Sequence, residues 1–64
     1  MNLRKFEGKR VEIKTHENQL FVGMVGDYIY PEDNESGKES IVLDTKDGDL
    51  VEFYEKDIKS ICYL

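Results

Sequence analysis

The chain has few of the residues that stabilise small proteins or anchor them in membranes. Cys62 is the only cysteine, so no disulfide can form within one molecule. His16 is the only histidine and has no cysteine near it in sequence, which argues against a zinc site. No apolar run approaches the length of a membrane span, and the sequence contains no charged-then-apolar leader that ends in small residues. These absences predict a complete cytoplasmic protein with no membrane segment.

The length of the chain limits how much stability its core can supply. Its 64 residues are enough for one domain, residues 1–64. A domain of this size buries only about 60% of its unfolded surface, so its core is thin. Small domains gain further stability from disulfides, metals or oligomerisation, and cysteine pairs are missing here. We therefore expect self-association.

Charge is unevenly distributed along the chain. The sequence has 9 basic residues against 14 acidic ones, a net charge of −5. Residues 1–14 carry five basic and two acidic side chains, whereas the remainder carries four basic and twelve acidic ones. Because an acidic chain is repelled by phosphate at long range, any nucleic acid has to contact the basic amino-terminal segment. The alternative is that these basic side chains are simply solvated.

Alternation of apolar and polar residues predicts a mainly β fold. In the first segment Val11 and Ile13 point to one side of a strand and Glu12 points to the other, which is the period expected of a half-buried strand. Other segments alternate in the same way or lie between turn signals. The predicted strands are Arg10–Thr15, Leu20–Tyr30, Ser40–Lys46, Asp49–Tyr54 and Ser60–Leu64.

Short helices and turns are predicted around these strands. Leu3 and Phe6 form one apolar stripe on a short amino-terminal helix that caps an open end of the fold. Asp47-Gly48 between two strands is a strong two-residue hairpin signal. Glu55–Lys59 is too short for a stable α-helix and indicates a 3₁₀ turn before the last strand.

The second strand has glycines at positions where a bend is required. It is apolar on both faces, and Gly23 is the expected bend site and Gly26 a β-bulge. The polar segment after it, Pro31–Ser40, is expected to be a solvated loop and the least ordered part of the chain. This plan is that of a five-stranded, strongly bent SH3-like barrel. Its expected core is formed by Val11, Ile13, Val22 and Leu43.

No set of residues in the sequence indicates catalysis, a metal or a cofactor. If Gly37 is matched to the glycine of an EF-hand loop, Leu43 occupies the position that requires a bidentate Glu. The strand neighbours of Cys62 offer no base, so we expect this thiol to be packed rather than reactive. Every acid lies in a polar turn or on an outward face, where no desolvated carboxylate pair can form. We expect a protein that is not an enzyme.

Five segments of the chain together follow the pattern of a known family. Their residues are Leu3 and Phe6, Gly8-Lys9-Arg10-Val11-Glu12-Ile13, Phe21-Val22-Gly23, Ile41-Val42-Leu43 and Asp57-Ile58-Lys59-Ser60-Ile61. With these residues the chain resembles the Sm-like family, which includes Sm, Lsm and Hfq proteins, and the resemblance covers most of the chain. Members of the family have a short amino-terminal helix followed by five strongly bent strands.

The resemblance implies assembly into rings, in which the fourth strand of one subunit pairs with the fifth strand of the next. Apolar residues at both strand edges are consistent with such pairing, because exposed edges otherwise invite association. The expected partner is thus a further copy of the chain. The residues predicted at this interface are Val51, Phe53, Ile61, Tyr63 and Leu64.

The resemblance also implies RNA binding, but the pore motifs of the family are altered. Asp27 is followed four places later by Pro31 rather than by Asn, and Tyr54-Glu55-Lys56-Asp57 replaces the usual basic-Gly step. These changes weigh against the pore site. The predicted RNA contacts are instead Arg4, Lys5, Lys9, Arg10, Tyr28 and Tyr30.

A second function is consistent with the same residues. An exposed strand edge or the acidic loop Glu32–Glu39 suits an adaptor or accessory subunit that holds a basic protein partner. Such an adaptor has no nucleic-acid activity. The residues leave both functions open.

Overall fold

Five antiparallel β-strands and three short 3₁₀ helices make up the structure, a computed structural model that describes all 64 residues. The strands are paired in the order β4-β3-β2-β1-β5. The 3₁₀ helices are η1 (Leu3–Phe6), η2 (Pro31–Asp33) and η3 (Glu55–Asp57). The strands are β1 (Arg10–Thr15), β2 (Leu20–Ile29), β3 (Ser40–Thr45), β4 (Leu50–Tyr54) and β5 (Ile58–Tyr63).

The predicted mainly β fold is confirmed, and the bounds of most strands differ from the prediction by one or two residues. The amino-terminal helix is a single 3₁₀ turn, and β5 begins at Ile58, two residues earlier than expected. The 3₁₀ turn before β5 and the hairpin between β3 and β4 are both present. At the hairpin, the amide of Thr45 donates to the carbonyl of Asp49 at 2.8 Å, and Gly48 has a φ of +89°. A left-handed φ of this kind favours glycine.

The sheet is open, so a closed barrel is not confirmed. Strands β4 and β5 lie at opposite ends of the strand order, and each pairs with only one neighbour. Each of them therefore presents a free edge. Strand β2 pairs with β1 through Leu20–Met24 and with β3 through Gly23–Ile29, so its two halves belong to different parts of the sheet.

The two glycines of β2 serve different purposes. A Cβ atom at Gly23 would collide with the carbonyl oxygen of Asp44, so glycine permits the close approach of β3 at this point. The register between β2 and β3 shifts between Val25 and Asp27, which confirms the predicted bulge at Gly26.

One face of the sheet, the inner face, carries the core. Leu3 and Phe6 of η1 are buried against it, as the apolar stripe predicted. Val22 was expected in the core but is half-buried on the outer face, where it pairs with Glu12. The core residues are Leu3, Phe6, Val11, Ile13, Val25, Ile41, Leu43, Phe53 and Ile58.

The loop between β2 and β3 is exposed, as expected, but a side chain ties it together. Asn34 donates through its Nδ2 atom to the carbonyl of Lys38 at 2.8 Å and to Oγ of Ser40 at 3.0 Å. Ser40 is fully buried and in turn donates to Oε2 of Glu52 at 2.7 Å. These bonds join the loop to β4, so the end of the loop has a defined position.

Candidate functional site

An aromatic platform lies where β2 ends beside η1. The ring centroids of Tyr28 and Tyr30 are 5.0 Å apart with an angle of 69° between the rings, the edge-to-face geometry that aromatic pairs favour. The guanidinium carbon of Arg4 lies 5.2 Å from the centroid of the Tyr30 ring. This distance is within the range of a cation–π interaction. We call Arg4, Tyr28, Tyr30 and Glu39 the tyrosine platform.

Glu39 connects three elements at the tyrosine platform. The hydroxyl of Tyr28 donates to Oε1 of Glu39 at 2.6 Å, and the main-chain amide of Leu3 donates to Oε2 at 3.5 Å. The hydrogen bond to the Glu39 carboxylate, together with desolvation and the negative charge, raises the pKa of Tyr28 to about 12. The Tyr28 phenol therefore stays protonated and donates to Glu39 throughout the physiological range.

The local sequence explains why these side chains meet. Tyr28 and Tyr30 are two residues apart at the end of an extended segment, so both rings project to the same side. Pro31 then begins η2, so the chain does not continue as a strand beyond Tyr30. At the other side of the platform, Oδ1 of Asn2 accepts from the amide of Arg4 at 3.2 Å, which caps the first turn of η1.

The other basic residues predicted to bind RNA make contacts outside the tyrosine platform. The Nζ atom of Lys5 lies 5.1 Å from the centroid of the Phe6 ring. The carbonyl of Lys9 accepts from the amide of Val25 at 2.9 Å, and Arg10 begins β1, where it pairs with Met24. The structure thus brings together three of the six predicted residues, Arg4, Tyr28 and Tyr30.

Sequence reasoning missed Glu39. It lies 36 residues from Leu3 and 11 from Tyr28, so neither contact produces a local pattern. Its neighbours in sequence are polar, which is typical of a solvated loop. The residue is half-buried in the structure.

The two sheet edges expose several apolar side chains. Tyr63 and Leu64 are 54% and 64% exposed, and Leu50, which the sequence did not indicate, is 74% exposed. Val51 and Ile61 are half-buried against the core. Phe53 is only 3% exposed and its ring lies 5.3 Å from that of Phe21, centroid to centroid. Phe53 therefore belongs to the core of its own chain and does not present its ring at the edge.

Residues at the two edges share the outer face of the sheet. Leu50 pairs with Asp44, Asp44 with Met24, and Met24 with Arg10. Because directly paired residues face the same side, the outer face runs from Leu50 on β4 to Arg10 on β1. On β5, Cys62 pairs with Glu12 and lies on the same face. Cys62 is exposed, so the expectation of a packed thiol was wrong.

The remaining candidates for chemistry are an open groove and the single histidine. An open groove of about 950 Å³ lies between the β2–β3 loop and η3, and its lining includes Lys38, Lys56 and Glu55. Glu55 forms an ion pair there with the amino terminus at 3.3 Å. No group of three or more His, Cys, Asp or Glu side chains is placed to hold a metal ion. His16 is exposed in the turn between β1 and β2.

Comparisons of the chain with protein-family models, with curated proteins and with solved structures gave no match. The resemblance to the Sm-like family therefore stays a prediction from the residues. The longest helix of the structure has four residues, so none has the length and apolar character needed to cross a membrane.

Proposed function

We propose that the chain is a non-catalytic, Sm-like module that self-associates head to tail, with edge β4 of one copy pairing with edge β5 of the next. The observation that carries this proposal is the pair of free edges at opposite ends of one sheet. Unpaired strand edges present rows of amide and carbonyl groups that bond readily to another strand. Two different edges that join heterologously give a ring if the rotation closes and a filament if it does not.

The finer fold assignment, a strongly bent Sm-like small barrel, is part of the same proposal. Strand β2 is shared between β1 and β3, and η1 covers the inner face, which is the plan expected of that family. Pairing between copies would satisfy the edges that one chain leaves open.

Antiparallel pairing between copies predicts which residues meet. It would continue the pattern of the existing sheet and would place the start of β4 opposite the end of β5. Leu50 then lies close to Cys62 and Leu64 of the next copy, on the outer face that these residues share. Leu50 and Leu64 are among the most exposed apolar residues of the chain, and pairing would remove both from water.

Charge favours pairing between unlike edges. The exposed acids Asp49 and Glu52 lie at or beside β4, whereas Lys59 lies on β5 and Lys14 on the adjacent strand β1. Pairing β4 with a second β4 would bring the Glu52 carboxylates together, and like charges facing each other across strands are destabilising. Pairing β4 with β5 avoids this contact between like charges.

Disulfide trapping tests this arrangement. In Leu50→Cys, mild oxidation with oxidised glutathione is expected to join the new thiol to the native Cys62 of the next copy, giving a ladder of covalent species. The wild type and the double variant Leu50→Cys/Cys62→Ser are matched controls, and both are expected to stay uncrosslinked. A disulfide dimer in the wild type would instead indicate pairing of two β5 edges. Absence of the ladder in Leu50→Cys would refute the proposed register.

We also propose that the tyrosine platform contacts single-stranded RNA. The position of Arg4 over the Tyr30 ring supports this second function, because aromatic and guanidinium planes together form surfaces on which bases stack. Fluorescence anisotropy with short A-rich and U-rich RNAs at low and high salt tests it. Absence of binding at low salt would remove RNA from the account. Recovery of one abundant protein in a pull-down would then favour the adaptor function.

A further inference from the structure

The two carboxylate oxygens of Glu39 contact the two parts of the tyrosine platform, which are the Tyr28–Tyr30 pair and the segment that carries Arg4. Oε1 accepts a short bond of 2.6 Å from Tyr28, whose ring packs against Tyr30, and Oε2 lies at the longer distance of 3.5 Å from the amide of Leu3, the residue directly before Arg4. Leu3 is fully buried, so its main chain is a firm attachment point. One carboxylate thus relates the position of the cation to the position of the aromatic pair.

The geometry points to Glu39 as a positioning residue that keeps the Arg4 guanidinium beside the Tyr30 ring. In this position the guanidinium receives a nucleobase of single-stranded RNA. This inference rests on the RNA contact proposed above. It adds the residue that builds the site and the part of the nucleic acid that the site recognises.

The charge of the cluster supports a base rather than a phosphate as the group bound. The carboxylate of Glu39 offsets the positive charge of Arg4 within the same cluster, so the net attraction for a phosphate is small. The Tyr30 ring and the Arg4 guanidinium then act as flat surfaces rather than as a site for a charged group. Tyr30 is 38% exposed and Arg4 is exposed, so the guanidinium beside the Tyr30 ring is accessible from solvent. A base stacks on such surfaces through its π face, which every base has.

The test compares two probes that carry the same phosphates. Anisotropy is measured with a labelled hexamer of adenylate and with an abasic hexamer of equal length. The wild type is expected to bind the adenylate hexamer about tenfold more tightly, which is at the low end of what base stacking contributes. Glu39→Ala is expected to lose this preference. Glu39→Gln keeps an acceptor oxygen for Tyr28 but none for the Leu3 amide, so its preference for adenylate should lie between those of the wild type and Glu39→Ala.

A matched control separates positioning from charge. Glu35→Ala removes one negative charge from the same exposed loop and is expected to leave the preference for adenylate unchanged. If Glu39→Ala keeps the preference for bases, or if both hexamers bind the wild type equally, RNA contact stands but the role of Glu39 in base stacking is wrong. If the wild type binds neither hexamer at low salt, the proposed RNA function itself fails, and this inference fails with it.

Discussion

Truncation of Phe53 distinguishes a core position from an interface position. The ring is 3% exposed and packs edge-to-face on Phe21, so Phe53→Ala removes a buried aromatic side chain and leaves a cavity. Such a change costs about 3–5 kcal/mol in other cores. At about 0.05–0.15 kcal/mol per residue, a domain of this length has roughly 3–10 kcal/mol of total stability. We therefore expect Phe53→Ala to be largely unfolded or to melt at least about 12 °C lower.

Thermal melting followed by far-UV circular dichroism measures this effect, with two controls. Phe53→Leu keeps most of the buried volume and should cost much less than the alanine variant. Leu20→Ala removes a side chain that is 60% exposed and lies outside the proposed interface, so it should leave the melting temperature within a few degrees. A Phe53→Ala protein that melts with the wild type would refute the placement of this ring in the core.

Two further predictions follow from single contacts. Gly23→Ala should lower the free energy of unfolding by roughly 1–3 kcal/mol in urea denaturation, because the new Cβ meets the carbonyl of Asp44, whereas Gly26→Ala, with open space around it, should not. Equal effects of the two would contradict the close approach. The raised pKa of Tyr28 stabilises the folded state below pH 10, and this contribution is lost as pH rises towards about 12. Ultraviolet titration of tyrosinate should show one late-titrating group that Glu39→Ala moves back towards 10, and an unchanged titration would exclude the hydrogen bond.

Local patterns in the sequence predicted the parts of the fold that depend on neighbouring residues. The alternation around Val11 and Ile13 predicted β1 at its observed bounds, and Asp47-Gly48 predicted the hairpin. Strand β2 was harder to interpret because it is apolar on both faces. Alternation with a period of two then does not show which face is buried. Val22 was predicted on the inner face but lies on the outer face. A residue of the opposite parity, Phe21, packs against the core instead.

Features that depend on distant residues were not predictable from local patterns. The tyrosine platform requires η1, the end of β2 and the start of β3 to meet, and Glu39 makes contacts across 11 and 36 residues. The six residues predicted to bind RNA were chosen by type and charge, so they did not separate Arg4 from Lys9 and Arg10. Local patterns also do not show which way a side chain points at a sheet edge. For this reason Phe53 was predicted to lie with the exposed residues of the edges.

Sedimentation of the wild-type chain at tens of micromolar tests the central claim most directly. If the free edges of β4 and β5 join copies head to tail, the sedimenting mass will be several times the 7.5 kDa of one chain. A species of 7.5 kDa at these concentrations would contradict assembly through the sheet edges.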